Sequence, residues 1–400
     1  MNTSPRLVAA LCVAAPLFAQ NTAPGQTASW WRERAPGAQR YTANAKKMPL
    51  ISVKGNKFVD PQGNTVLFRG LAISDPDKIE SQGHWNKDHF VKVKEMGAKV
   101  VRIPIHPIAW RGRTPAAYIK LLDQAVEWCT DLDMYIDLDW HSIGNLTTGL
   151  FQDPMYDTSL QETYNFWRTM ARHYAGHNTI VFWELFNEPT TFNGQLGPVV
   201  WADWKKIQET LIGIIRAYNP QAIVLVAGFD WAYDLTPLRE APIAADNIAY
   251  VTHPYSNKRP QPWEPKWEED FGFAAGKYPV VASEFGGATA AQPGATAAPQ
   301  PAATAATQPG VTTAARPGAT AAAQPTATAA AQPAATAQPG VTQPTYGPSI
   351  MKYLEGKGIS WIVWCFDPEW GPTLIRDWQY TLTPAGEFAK QMMHAAEARQ

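Results

Sequence analysis

The stretch Ile180-Val181-Phe182-Trp183-Glu184-Leu185-Phe186-Asn187-Glu188-Pro189 places a short apolar run directly before an amide and a carboxyl group. Such a run, rich in β-branched and aromatic residues, is the pattern of a strand covered on both faces. Runs of the same kind recur at residues 66–71, 100–105, 134–140, 223–227, 248–252, 279–283 and 360–366, which with 180–187 makes eight.

Helical patterns lie between them. Residues 116–130 carry Tyr118, Leu121, Leu122, Ala125 and Cys129 on one face. Residues 160–174 carry Trp167, Met170, Ala171 and Tyr174, behind a capping box of Ser159 and Glu162. Residues 201–218 carry Trp204, Ile207, Leu211, Ile214, Ile215 and Tyr218, and Pro220 stops them. Thr383 and Pro384 open a last helix, with proline in its first turn. Eight strand-then-helix units predict an α/β fold, a (β/α)8 TIM barrel; a doubly wound open sheet is the competing arrangement.

The chain has 400 residues, 45% hydrophobic and 17% charged, with formal net charge −1. That balance excludes nucleic acid and anionic membrane as default partners. Arg6 followed by the apolar residues 7–18 reads as a secretory signal over residues 1–20, too short to span a bilayer. Residues 21–45 read as a polar tail. Residues 46–286 and 346–400 are the two parts of the barrel. Between them, residues 287–345 are almost entirely Ala, Thr, Gln, Pro and Gly, a composition expected to stay disordered. Without that insertion the span is close to the roughly 250 residues of an ordinary barrel. It follows the seventh strand, so it emerges beside the catalytic face. Once a signal is removed, Cys129 and Cys365 remain; Cys129 continues a helix's apolar face, and two free thiols are expected rather than a disulfide.

In a barrel the C-terminal strand ends converge on one pocket. The polar residues expected there are Arg102, His141, Asn187, Glu188, His253, Tyr255 and Glu284, together with Trp364. A lone strand-end glutamate is usually a structural ion-pair partner. Two on one rim, from strands on opposite sides of the axis, suit glycosidic cleavage, which needs one protonated and one ionised carboxyl. A gap of about 5 Å between them implies retention, and one of about 6.5–9.5 Å inversion. Arg102 and Tyr255 are the expected donors to the ionised group, with Asn187 and His253 near the other.

From residue 66 to 387 the chain resembles glycoside hydrolase family 5, the cellulase family. The matching motifs are Val100-Val101-Arg102-Ile103-Pro104-Ile105, Asp139-Trp140-His141, Leu185-Phe186-Asn187-Glu188-Pro189, His253-Pro254-Tyr255, Ser283-Glu284-Phe285-Gly286 and the segment 361–367. The resemblance implies a retaining double displacement, with Glu188 as acid/base and Glu284 as nucleophile. It implies that Asn187 binds the sugar 2-hydroxyl and that Arg102 and Tyr255 hold the nucleophile. His141 and His253 are then placed around the sugar being cleaved, and Trp364 beneath it. The low-complexity insertion departs from the family by lengthening a loop that is usually shorter.

Of the 17 Trp, most are expected in the core. Trp85, Trp110, Trp140, Trp231, Trp263 and Trp370 are candidate platforms for further sugar units. Asp367 and Asp377 are expected in ion pairs. No phosphate loop, metal-ligand spacing or serine-hydrolase elbow is present in the sequence, so no cofactor and no metal are expected. The expected unit is a monomer, secreted to the extracellular space or the periplasm, acting on polysaccharide as an endo-β-1,4-glucanase. An endo-β-1,4-mannanase on the same frame, and a non-catalytic carbohydrate-binding barrel, are the alternatives.

Overall fold

The computed structural model describes residue 41 and residues 47–190, 196–286 and 345–397. The expected signal, nearly all of the tail, and the insertion up to residue 344 lie outside the described residues. Eight parallel strands close into a barrel: β1 (Arg69–Ala72), β2 (Val100–Ile105), β3 (Tyr135–Trp140), β4 (Ile180–Glu184), β5 (Ile223–Ala227), β6 (Ile248–Val251), β7 (Val280–Phe285) and β8 (Ser360–Val363). Each pairs with its neighbours in sequence, and β8 returns to β1. The open-sheet alternative is thereby excluded.

Boundaries differ from the sequence reading where the chain leaves the ladder. Thr65–Val66 belongs to a separate antiparallel sheet with Ser52–Lys54 and Lys57–Val59. This sheet brings Phe58 against Phe68 and Phe182, with ring centroids at 5.7 and 5.0 Å. Beyond Glu184 the Leu185 amide still bonds to the Leu225 carbonyl, and the Asn187 amide then bonds to the Trp140 carbonyl.

Buried apolar residues form two shells. One lies between strands and helices, and includes Ile136, Leu138 and Trp140 of β3, Val101 and Ile103 of β2, and Trp167 and Trp204 from the helices. The other lies inside the barrel, with Phe58, Phe68, Val100, Phe182, Ile223 and Leu225. Strand alternation explains the division, because successive side chains point to opposite faces. On β3 it sends Asp137 and Asp139 into the barrel. The helix Pro115–Asp131 buries Tyr118, Leu121, Leu122, Ala125 and Cys129 as expected. In Leu160–His173, the Ser159 side chain caps the Glu162 amide. Tyr218 lies past the end of the helix Trp201–Arg216 and is exposed, so it is not part of that helix's apolar face. Cys129 and Cys365 are both buried and free. Burial holds both thiols well above their ordinary pKa, which suits inert packing. Among the described residues no helix is long and apolar enough to cross a membrane.

Candidate active site

Glu188 and Glu284 are largely buried, at 8% and 6% exposed, on the rim where the strands end. An oxygen of each and a ring nitrogen of His253 lie within 4.8 Å of one another. The Glu188 segment is fixed by a small sheet: Glu188–Pro189 pairs with Ile143–Asn145, which pairs with Leu150–Phe151. The Glu188 amide also bonds to the Ser142 carbonyl.

Glu284 accepts from both expected donors. Arg102 Nη1 bonds to Oε2 at 2.9 Å and the Tyr255 hydroxyl to Oε1 at 2.7 Å. Burial pushes the Glu284 carboxyl up, and Glu188 adds to that, while His253, Arg102 and the Tyr255 hydrogen bond pull it back. Burial, with the Glu284 charge, also holds the Tyr255 phenol protonated as a donor. Arg102 is fully buried and bonds further to Glu184, to Asn187 Oδ1 and to Asp139. Burial opposes its charge, but Asp139, Glu184 and Glu284 together raise its pKa well above the ordinary value.

His253 is fully buried, with Nδ1 2.9 Å from Glu188 Oε1 and Nε2 3.0 Å from Ser283 Oγ. Ser283 in turn donates to Glu184. Burial disfavours the charge on His253, but Glu284, Glu184 and Glu188 outweigh it and push its pKa up to about 9. His253 thus touches the Glu188 carboxyl rather than open cleft. A charged imidazole has no lone pair, so the triangle of Glu188, His253 and Glu284 is a carboxyl pair bridged by a cation, not a ready ligand set.

His141 donates or accepts at Asp139 through Nδ1, at 2.6 Å. Burial and neighbouring His106 keep its pKa well below the ordinary value, which favours the neutral ring. Its ring lies parallel to Trp364 at 5.4 Å, and Trp370 continues the stack at 6.3 Å and 16°. Asn187 has its Oδ1 taken by Arg102, while its buried Nδ2 has no partner among the described residues. An amide donor left unmatched beside two carboxyls is a hydrogen-bond site for a ligand hydroxyl.

The candidate platforms divide. Trp110 and Trp140 are buried core residues and offer no sugar-binding face. Trp85 packs on Phe90 and Trp128 in the helical shell, and Trp263 stacks on Trp267. Trp231 and Trp370 are half-buried, as are Trp85 and Trp263. Trp231 sits in a segment whose residues Asp230, Trp231 and Ala232 all have positive φ, 56°, 55° and 59°. Each costs about 1–3 kcal/mol outside glycine, so packing must impose the geometry. Arg259 and Lys258 clamp Asp230, and Lys258 lies over the Trp231 ring at 4.8 Å. Gly228 enters that loop where a Cβ would meet the Asp234 carbonyl oxygen at 2.0 Å. Asp367 pairs with Lys78 at 2.6 Å, as expected, and also caps the turn that carries Trp370. Asp377 instead accepts the backbone N–H groups of Gln379 and Thr381.

The sequence reading missed Glu184, Asp137, Ser283 and His106. The first two carried a signal: acids inside apolar strand runs have no solvent-facing side, so they face either a helix or the barrel interior.

A family model described as cellulase (glycosyl hydrolase family 5) matches residues 59–316. A crystal structure of a β-glucanase from Saccharophagus degradans in complex with cellotetraose is 40% identical, with TM-score 0.76, and the alignment covers 92% of this chain and 99% of that one. Endoglucanase A of Butyrivibrio fibrisolvens is 27% identical over 214 residues, 52% of this chain and 45% of the relative. Endoglucanase E-5 of Thermobifida fusca is 26% identical over 266 residues, 64% and 52% respectively. The chain spans about half the length of these curated relatives.

Proposed function

The chain belongs to glycosyl hydrolase family 5, the cellulase family, and on that premise we propose that it is a retaining endo-β-1,4-glucanase with Glu284 as nucleophile and Glu188 as acid/base. The observation that carries the reading is the approach of the two carboxyls, with oxygens within 4.8 Å. That supports direct attack by a carboxylate, since inversion needs room for a water between carboxyls about 6.5–9.5 Å apart.

The donor pattern supports the division of roles. Arg102 and Tyr255 both donate to Glu284, each to a different oxygen, which favours its ionised form. In the first step Glu284 attacks the anomeric carbon while Glu188 passes a proton to the glycosidic oxygen, and the C–O bond breaks. In the second, Glu188 takes a proton from water, whose oxygen attacks the same carbon and releases Glu284. The free Asn187 Nδ2 suits the 2-hydroxyl, and half-buried Trp370, stacked in line with the buried Trp364, suits a platform for a sugar face. His253 acts here as a positioning residue for Glu188. The glucan assignment leans on the cellotetraose bound to the S. degradans enzyme. The run behind Arg6 supports export to where polymer is found.

The test is product analysis on carboxymethylcellulose, glucomannan and pure mannan, with the anomer read by NMR. β-Anomers released first, from the glucans, are expected. Preference for pure mannan would overturn the glucan assignment, and α-anomers released first would overturn retention.

A further inference from the structure

Asp137 is a buried acid that none of these steps uses. It lies on β3 beside Arg102 on β2, its partner in the ladder. Its side chain is fully buried, and neither carboxyl oxygen accepts a hydrogen bond from any donor among the described residues. An ionised carboxylate so placed would carry a large uncompensated desolvation cost. On the neighbouring strand β4 Asp137 pairs with Phe182, and the polar residue diagonal to it, two positions on, is a second carboxyl, Glu184. Two carboxylates are both acceptors, so a contact between them holds only if one of them carries a proton. The surroundings decide which. Glu184 already accepts from Arg102 Nε at 2.8 Å, Arg102 Nη2 at 3.0 Å and Ser283 Oγ at 2.9 Å. Asp137 accepts nothing, so the proton belongs there.

We infer that Asp137 is a positioning residue for the nucleophile: a neutral carboxylic acid that donates to Glu184 and so leaves the Arg102 charge directed at Glu284. The order runs from Asp137 to its diagonal neighbour Glu184, from Glu184 to Arg102 Nε at 2.8 Å, and from Arg102 Nη1 to Glu284 at 2.9 Å. Burial, reinforced by the Glu184 charge, holds the Asp137 carboxyl well above the ordinary range, against the pull of Arg102. Glu184 is held down to about 2, where Arg102 and His253 outweigh its burial. The other titratable groups facing this knot are Asp139, 3.0 Å from Arg102 and itself held above the ordinary carboxyl range by burial against the pull of Arg102, and His253, 3.7 Å from Glu184. One guanidinium already serves Glu184, Asp139 and Glu284. An ionised Asp137 would add a further anion below it and draw it down the barrel, away from Glu284.

The inference rests on Glu284 as nucleophile, and its test begins with a measurement that needs no catalysis. Infrared spectra of the full chain near neutral pH are expected to contain the carbonyl stretch of a buried, protonated carboxyl that is missing from Asp137→Asn. If the variant loses no such band, the proposal falls, whatever the protein hydrolyses. Kinetics on carboxymethylcellulose give the second arm. The Asn amide can donate to Glu184 as the acid does, so Asp137→Asn is expected to keep kcat within about twofold and the acid limb of kcat/KM in place. Asp137→Leu removes the donor. It is expected to lower kcat about 10- to 100-fold, the scale of a displaced catalytic group, with KM little changed and the acid limb moved to higher pH. An acid limb that moves to lower pH in Asp137→Asn would mean that an anion had been removed, and would overturn the proposal. So would an Asp137→Leu enzyme with wild-type kcat and limb. Should Asp137→Leu fail to fold, the infrared band and the Asn limb still decide. A wild type inactive on every glucan and mannan would count against the Glu188–Glu284 reading and leave the infrared result standing.

Discussion

The inside of the barrel is two regions stacked along one axis. Toward the N-terminal strand ends, Phe58, Phe68, Val100, Phe182 and Ile223 form one apolar cluster, and Phe182, the ladder partner of Asp137, marks its upper edge. Toward the other end, Arg102, Asp137, Asp139, Glu184, His253 and Glu284 are equally buried but charged or able to ionise. Two residues along β2 separate them, from Val100 to Arg102. The lower region gains from every contact, because burying apolar surface is favourable in almost any arrangement. The upper region gathers carboxyls around one guanidinium and one imidazolium, where desolvation works against each charge. Its order is imposed by the scaffold beneath and around it. Stability and chemistry should therefore separate by height in the barrel.

The strongest way to break that separation is Glu284→Gln. The amide keeps the shape and removes a buried charge, so activity on carboxymethylcellulose should fall by at least about 10⁴-fold. The thermal midpoint should stay or rise, because a carboxyl whose charge burial opposes has been neutralised. A midpoint that drops with the activity would mean that the upper region carries the fold as well. Glu188→Gln should cost about 10²- to 10⁴-fold, the usual worth of acid/base assistance. A substrate with an activated aryl leaving group needs no proton in the first step, so the deficit should shrink there; an equal deficit on both substrates would remove Glu188 from that role. Below them, Phe182→Ala should show the reverse. Phe182 is fully buried and lies 4.9 Å from the Phe68 ring, so the variant should lose about 3–5 kcal/mol of stability. Its kcat per folded molecule, measured well below the melting transition, should match wild type.

The same contrast governed what the sequence disclosed. Apolar runs at residues 100–105 and 223–227 are unambiguous, because a strand covered on both faces leaves no other use for such residues. The rim was also legible, since Asn187, Glu188, His253 and Glu284 lie at or just past strand ends and their place follows from barrel geometry. The hidden part was the supporting layer. Asp137 and Glu184 sit inside strand runs, where position alone does not tell an inward from an outward face; only the closed ladder does. The tryptophans misled for a related reason. Trp140 stands beside two site residues in sequence, but alternation turns it outward onto Phe166, at 4.2 Å, while Asp139 and His141 face in. Trp231 and Asp230 depended on a left-handed backbone that no composition announces.

The smallest effect sharpens the comparison by pH. His253 is the one imidazole of the upper region whose charge is stabilised, with its pKa raised from 6.5 to about 9 by Glu284, Glu184 and Glu188 against burial. A group whose folded pKa lies above its unfolded value stabilises the fold fully below the unfolded pKa, and loses that contribution as pH rises through the folded one. His253 should thus support the fold up to about pH 6.5 and cease to do so above about 9. The swing is at most about 3 kcal/mol, because the three carboxyls share the proton's field. Urea midpoints at pH 6 and pH 9.5 read it directly. Wild type should fall more between the two than His253→Asn, which carries no titrating ring. Equal falls would mean that the imidazole is uncharged throughout, and that the upper region is held by Arg102 alone.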